Sequence, residues 1–130
     1  LEVIEIDVNV DQLADAIVNT VRSYTEDVST AIDKEVDNTT KDALAEVKRL
    51  APKKTGEYAK GFTKVNKSLP GNRRYIVWNK KYYSLVHLLE HGHAKVGGGR
   101  VQGYPHMGPA TDRYVLTMPA RIADIIRNGG

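Results

Sequence analysis

His87, Glu90 and His91 fall in the order HLLEH, with His93 two positions on and His106 farther along. This is the H-x-x-E-H spacing of one class of zinc peptidases. On a helix, histidines four apart turn both imidazoles toward one ion, and the glutamate between them takes a proton from metal-bound water. His93 or His106 would supply the third ligand. The pattern is weak, because two of its five positions are free and it arises by chance. It also runs into GHAKVGGGRVQG, a stretch too glycine-rich to hold ligands rigidly. No carboxylate-rich segment stands nearby as a further ligand helix. Packed or surface histidines are therefore preferred, and neither a catalytic metal nor a cofactor is expected. Other chemistry is weaker still. VGGGRVQG lacks the Lys-Ser/Thr of a P-loop, and Ser23, Ser29, Ser68 and Ser84 sit in no nucleophile elbow. A zinc hydrolase stays only as a remote alternative, and the chain reads as no enzyme.

The elements that position these residues follow from periodicity. LEVIEIDV alternates, so residues 2–8 predict a short strand carrying Val3, Ile6 and Val8. It reads as neither a signal peptide nor a basic transit peptide. From Asp11 to Leu50 there is no Gly or Pro, and apolar residues recur in steps of three and four through Leu13, Ile17, Val21, Tyr24, Val28, Ile32, Val36, Ala43 and Val47. That predicts one face of a long helix, capped by Asp11 and stopped by Pro52. Forty residues would span ~60 Å, against a radius of gyration of ~14 Å for a domain of this size. Either the helix breaks at VDNTT (36–40), a run of poor helix formers, or part of its apolar stripe meets another subunit. Tyr58–Lys67 and Arg73–Asn79 predict a hairpin across SLPGN. Tyr82–His91 predicts a short helix ended by Gly92. Residues 93–108 predict a flexible loop, and Pro109 begins a last helix that Pro119 kinks or divides. The fold class is α+β. A long N-terminal helix, straight or bent, lies on a small antiparallel sheet, with a short middle helix and a C-terminal helix, in one domain over 1–130.

The chain has no cysteine, so no disulfide framework or thiolate site is possible. No apolar run nears the ~20 residues of a membrane helix, and no membrane partner is expected. The net charge of +3 hides a division. Residues 1–47 hold 12 acids and 3 bases, a net of −9, whereas 48–81 hold 11 bases and 1 acid, a net of +10. A basic part meets phosphates, or it meets the acidic part of the next copy in a head-to-tail contact. In a third outcome the two parts neutralise each other within one fold or stay solvated. A nucleic-acid-binding protein is the main alternative function. Tyr58, Phe62, Tyr75 and Trp78 are interleaved with the bases and offer stacking surfaces, although strand aromatics more often fill a core.

Three motifs then stand in one order: APKKTGEYAKGF after the long helix, YYSLVHLLEHGHA, and YPHMGPA before the last helix. They resemble P-x-x-T-G-x-L-x-x-S/G, an aromatic-led helix ending x-L-x-E-x-G-x, and P-h-x-x-P-A. This set resembles the phage minor tail component family of lambdoid and related tailed phages, known as tail-completion, neck or head–tail joining proteins. It covers roughly residues 40–112 directly. The chain departs at His106, where that family often has Phe after Pro. The resemblance implies structural roles for Thr55, Gly56, Glu90, Gly92, Pro105, Pro109 and Ala110. In it, Glu90 makes a polar contact and Gly92 stops the helix.

The resemblance further implies a virion protein assembled in the bacterial host cytoplasm. It would form a ring, expected as a hexamer, at the head-proximal end of the tail. Its partners would be further copies of itself and neighbouring tail-terminator, tail-tube or head-connector proteins, with DNA passing non-specifically. Lys53, Lys54, Lys60, Lys64, Lys67, Arg73, Arg74, Lys80 and Lys81, with Lys95 and Arg100 in the loop, are the candidate interface. Contact with a neighbour's acids (Glu26, Asp27, Asp33 or Glu35) is preferred over a DNA-lined channel, because a channel should not grip DNA.

Overall fold

The computed structural model describes residues 3–5, 7 and 9–130. The elements are α1 (Val10–Leu50), α2 (Glu57–Lys60), β1 (Phe62–Asn66), β2 (Tyr75–Asn79), a 3-10 turn (Tyr83–Leu85) and α3 (Val86–His91). There follow β3 (His93–Ala94), β4 (Arg100–Val101), α4 (Met107–Ala110), a π-helical turn (Thr111–Val115) and α5 (Met118–Asn128). The architecture is α+β, with a long N-terminal helix, small antiparallel sheets, a short middle helix and a C-terminal helix. Part of the predicted strand at 2–8 lies outside the described residues. Residues 3–5 and 7 form no strand.

The helix α1 runs unbroken for 41 residues. Its cap is Asn9, whose side chain accepts from the Gln12 amide at 3.0 Å; Asp11 lies in the first turn instead. VDNTT does not break it, because packing and local bonds override propensity there. Thr40 Oγ1 donates to the Val36 carbonyl at 2.8 Å, Thr39 Oγ1 donates to Glu35 at 3.2 Å, and both threonines are buried. The cover is one-sided along the helix. Residues 10–27 are all exposed, and burial begins at Val28.

The rest of the chain folds onto the C-terminal half of α1. The β1–β2 hairpin pairs Phe62 with Asn79 and Asn66 with Tyr75. The predicted first strand began too early: residues 57–60 form a helical turn, entered through Gly56 at φ +80°. The hairpin packs along α1 on one side, and α4, the π turn and α5 pack on the other. Arg121 of α5 ties the second side down. It pairs with Glu35, donates to Thr39 Oγ1 at 3.2 Å and donates to the Tyr114 carbonyl at 2.8 Å. Pro119 divides the last helix, as the second residue of α5, where a missing N–H costs nothing.

The core is small: Val47, Ala51, Ala59, Phe62 and Ala110. Its largest fully buried side chains are Phe62, His106 and Asn79, so two of the three are polar. Asn79 donates to the Tyr58 carbonyl at 2.8 Å and accepts from the Tyr82 amide at 2.8 Å and the Lys81 amide at 3.2 Å. It thereby joins α2 to the end of β2.

Segment 93–108 carries a short antiparallel hairpin, β3–β4. Its base lies against the end of α3, where the Tyr104 amide donates to the Leu89 carbonyl at 2.8 Å. Gly92, at φ +76°, and Gly103 meet backbone to backbone. A Cβ on Gly103 would lie 2.6 Å from the Glu90 carbonyl oxygen, and one on Gly92 would lie 2.2 Å from the Val101 carbonyl oxygen. Gly98, at φ +112°, has open space around it. Gly103→Ala is therefore expected to cost about 2–3 kcal/mol through a backbone clash, and Gly98→Ala only about 1 kcal/mol from its φ. Urea midpoints of the two variants check this, and equal midpoints would show that the base of the hairpin is not held.

Candidate functional site

The histidine motif separates in space. His87 and His91 lie side by side and exposed on α3, their ring centroids 4.9 Å apart. Glu90 is buried, and its carboxylate is fully engaged elsewhere. It accepts from the amides of His106 at 2.7 Å, Met107 at 2.9 Å and Gly108 at 2.8 Å. Neither ring nitrogen of His106 is open to a metal. Its Nδ1 lies 2.6 Å from the Tyr104 carbonyl and 2.9 Å from Glu90 Oε2, and its Nε2 lies 2.7 Å from the Tyr58 hydroxyl. Among the described residues, no three His, Asp or Glu side chains are grouped to hold a metal.

What HLLEHG builds is a clamp. Glu90, on the last turn of α3, closes over the first amides of α4, which have no partner within their own helix. Burial pushes the Glu90 carboxyl up. The three amide donors and His106 outweigh it and hold the pKa below its ordinary 4.5. Nδ1 of His106 faces two oxygen acceptors, so it carries the ring proton and Nε2 accepts from Tyr58. Burial and the Glu90 charge raise the Tyr58 hydroxyl to about 12. The His106 ring stands edge-on to Tyr58 at 5.5 Å and to Phe62 at 5.7 Å. It fills an aromatic position while keeping two polar handles.

The other motif residues surround this clamp or the turn beneath it. Ala110 is buried in the core, and Pro109 sits in the first turn of α4, where no amide is needed. Pro105 is exposed and precedes His106. Thr55 Oγ1 accepts from the Glu57 amide at 3.3 Å, beside Gly56. Asn79, Gly103 and Arg121 were not singled out from the sequence. A polar residue ending a strand, one glycine among many and one arginine among many carry no distinguishing pattern.

The charge division is partly internal. Arg73 grips Asp33 with two bonds, at 2.5 Å and 2.8 Å, and Lys64 meets Asp37 at 3.2 Å. Glu46 pairs with Arg49, and Glu35 with Arg121. Four of the five acids in the C-terminal half of α1 are thus paired within the chain; Asp42, among the described residues, meets no cation. Lys60 and Lys81 stand loosely beside Glu57, at 3.7 Å and 3.9 Å. Lys53 donates to the Arg49 carbonyl, and Arg100 donates to the His91 carbonyl at 2.8 Å. Among the described residues, Lys54, Lys67, Arg74, Lys80 and Lys95 meet no carboxylate, and Asp11, Asp15, Glu26 and Asp27 meet no cation. Tyr58 and Phe62 are taken up by the core cluster. Trp78, 38 % exposed and stacked on Tyr83, is the strand aromatic that faces solvent.

Glu90→Ala leaves three amides without their acceptor and is expected to cost about 3 kcal/mol, or about 10 °C in thermal midpoint. A carboxyl lowered on folding adds stability that is full above its unfolded pKa and is lost as pH falls through its folded one. Wild-type stability should therefore decline below about pH 4.5, and Glu90→Gln should decline less steeply over that range. Parallel acid-unfolding curves for the two proteins would show the clamp to be absent. A spectrophotometric tyrosine titration should show one phenol ionising near 12, missing in Tyr58→Phe. If all phenols ionise together near 10, Tyr58 is not buried beside Glu90 in solution.

The family of the chain is consistent with a scaffold of this kind. No curated protein and no solved structure matches it. The model of a family described as "Bacteriophage HK97-gp10, putative tail-component" matches residues 15–92, from the exposed half of α1 through the Glu90–Gly92 helix end. The chain belongs to this HK97-gp10-like family of bacteriophage tail components.

Proposed function

We propose that this protein is a structural component of the head-proximal end of the tail. There it forms a closed ring, a hexamer on the expectation above, that completes the tail and supports joining to the DNA-filled head. It acts by docking and carries out no reaction. The observation that carries the proposal is the uncovered half of α1. Residues 10–27 present Leu13, Ile17, Val21 and Tyr24 to solvent, each 43–58 % exposed, in a chain whose family builds tails. Isolated helices gain little from propensity alone, so a helix this long needs cover for its apolar face. Among the described residues its own chain supplies none before Tyr24. Lys54, Lys67, Arg74 and Lys80 add a basic surface for an acidic neighbour, of its own kind or a tail-terminator, tail-tube or head-connector protein. The β3–β4 tip orders on contact with that neighbour, because ordering entropy is offset when a partner arrives.

Electron microscopy of particles made without this protein tests the proposal. Filled heads should accumulate apart from tails. Joined, normal particles would overturn the neck position and return attention to nucleic acid. In that case the free protein would bind duplex DNA with a steep salt dependence through the same lysines.

A further inference from the structure

Two open hollows lie end to end along the C-terminal half of α1. One, of about 370 Å³, is lined by Val36, Thr40, Ala43 and Val47 of α1, with Arg74 and Val77 on the hairpin side and Val115 on the other. The second, of about 460 Å³, continues over Ser29, Ile32 and Val36, with Gly71 and Arg73 on one wall and Met118 and Ile122 on the other. They share Val36, Arg73 and Met118, so they form one groove. Its floor, from Ser29 to Val47, is ~27 Å long at 1.5 Å per residue. The exposed stripe from Val10 to Tyr24 is ~21 Å long on the same scale.

Length, polarity and charge all match. The groove is lined mainly by apolar side chains; its one carboxylate, Asp33, is held by Arg73, and at the rim Arg74 meets no carboxylate among the described residues. The stripe has apolar side chains, and beside it Asp11 and Asp15 meet no cation among the described residues. Two stripes packed against each other would instead bring Asp11, Asp15, Glu26 and Asp27 of both copies together, with Arg22 the only base among residues 10–27. Such pairing is opposed by like charge. We infer that the N-terminal half of α1 of one copy lies in the groove of a second copy, between its β1–β2 hairpin and its α4–α5 segment. Each copy then gives one helix and receives one. The contact is heterologous and propagates until it closes. This placement rests on the ring proposed above.

The absence of cysteine allows a direct test on the full chain. Ile17 and Val115 are 55 % and 39 % exposed, so Ile17→Cys and Val115→Cys should leave the fold intact, as circular dichroism checks. Within one chain the two sites are roughly 30 Å apart along α1, beyond a short bismaleimide. The double variant should cross-link into a ladder of dimers, trimers and larger species that ends at one closed size. A mixture of the two single variants should give cross-linked dimers only. Cross-linking of Ile17→Cys with itself would show helix-to-helix pairing and overturn the inference. Rings that form without the mixed cross-link would overturn the placement and leave the ring standing. A monomeric chain, together with tails that lack a ring of this protein, would overturn both.

Discussion

The carboxylate of Glu90 is the constraint on which the C-terminal half of the molecule depends. It gathers the three amides that begin α4, and so fixes where the chain returns to the core after the 93–104 excursion. His106 is seated by the same oxygen and reaches Tyr58 with its other nitrogen. Tyr58, through its carbonyl, is held by Asn79 at the end of β2. Four short elements, α2, β2, α3 and α4, are therefore joined by one polar network. In so small a core this network supplies the uniqueness that packing alone would not. Every member has a partner, and among the described residues no buried side-chain polar atom lacks one.

That network also explains the sequence around it. A carboxylate that receives three backbone amides must approach the backbone closely, so Gly108 leaves its path clear, a Cβ there lying 3.3 Å from Glu90 Oε1. The end of α3 must then turn sharply against the returning strand, and Gly92 and Gly103 meet where no Cβ fits. HLLEHG and the YPHMGPA segment, separated by 11 residues in sequence, are two halves of one joint. The spacing that suggested a metal serves instead to put Glu90 on the inner face of α3, with His87 and His91 outside.

Much of this was legible in the sequence and some was not. The periodicity from Leu13 to Val47 gave α1, because one face of a long helix repeats visibly over many turns. The hairpin and the helix ended by Gly92 followed from turn residues and β-branched runs. The motifs around Thr55 and Glu90 lie within the stretch that the family model matches, and the one around Pro109 lies beyond it. The unbroken course of α1 through VDNTT was hidden, since it depends on tertiary cover of Thr39 and Thr40. The helical turn at 57–60 was hidden by Tyr58, which reads as a strand residue but packs on the core from that turn, while Phe62 enters the core from the first position of β1. The role of His106 lay in geometry alone. The resemblance marked His106 as standing where Phe is frequent, but a histidine after proline in a glycine-rich stretch gives no sign that it bonds at both nitrogens.

The division of charge makes physical sense once α1 is seen as two halves. Asp33, Glu35, Asp37 and Glu46 of its C-terminal half meet Arg73, Arg121, Lys64 and Arg49 of the same chain, so they serve the monomer. The acids of its N-terminal half meet none of these and accompany the uncovered apolar stripe. An apolar stripe alone would be sticky toward many surfaces. Carboxylates beside it oppose pairing with its own kind and favour a surface that is apolar and basic together, which specifies the partner as well as attracting it. A helix half held by its own fold, with its other half uncovered, suits a tail component that takes its place in a larger assembly.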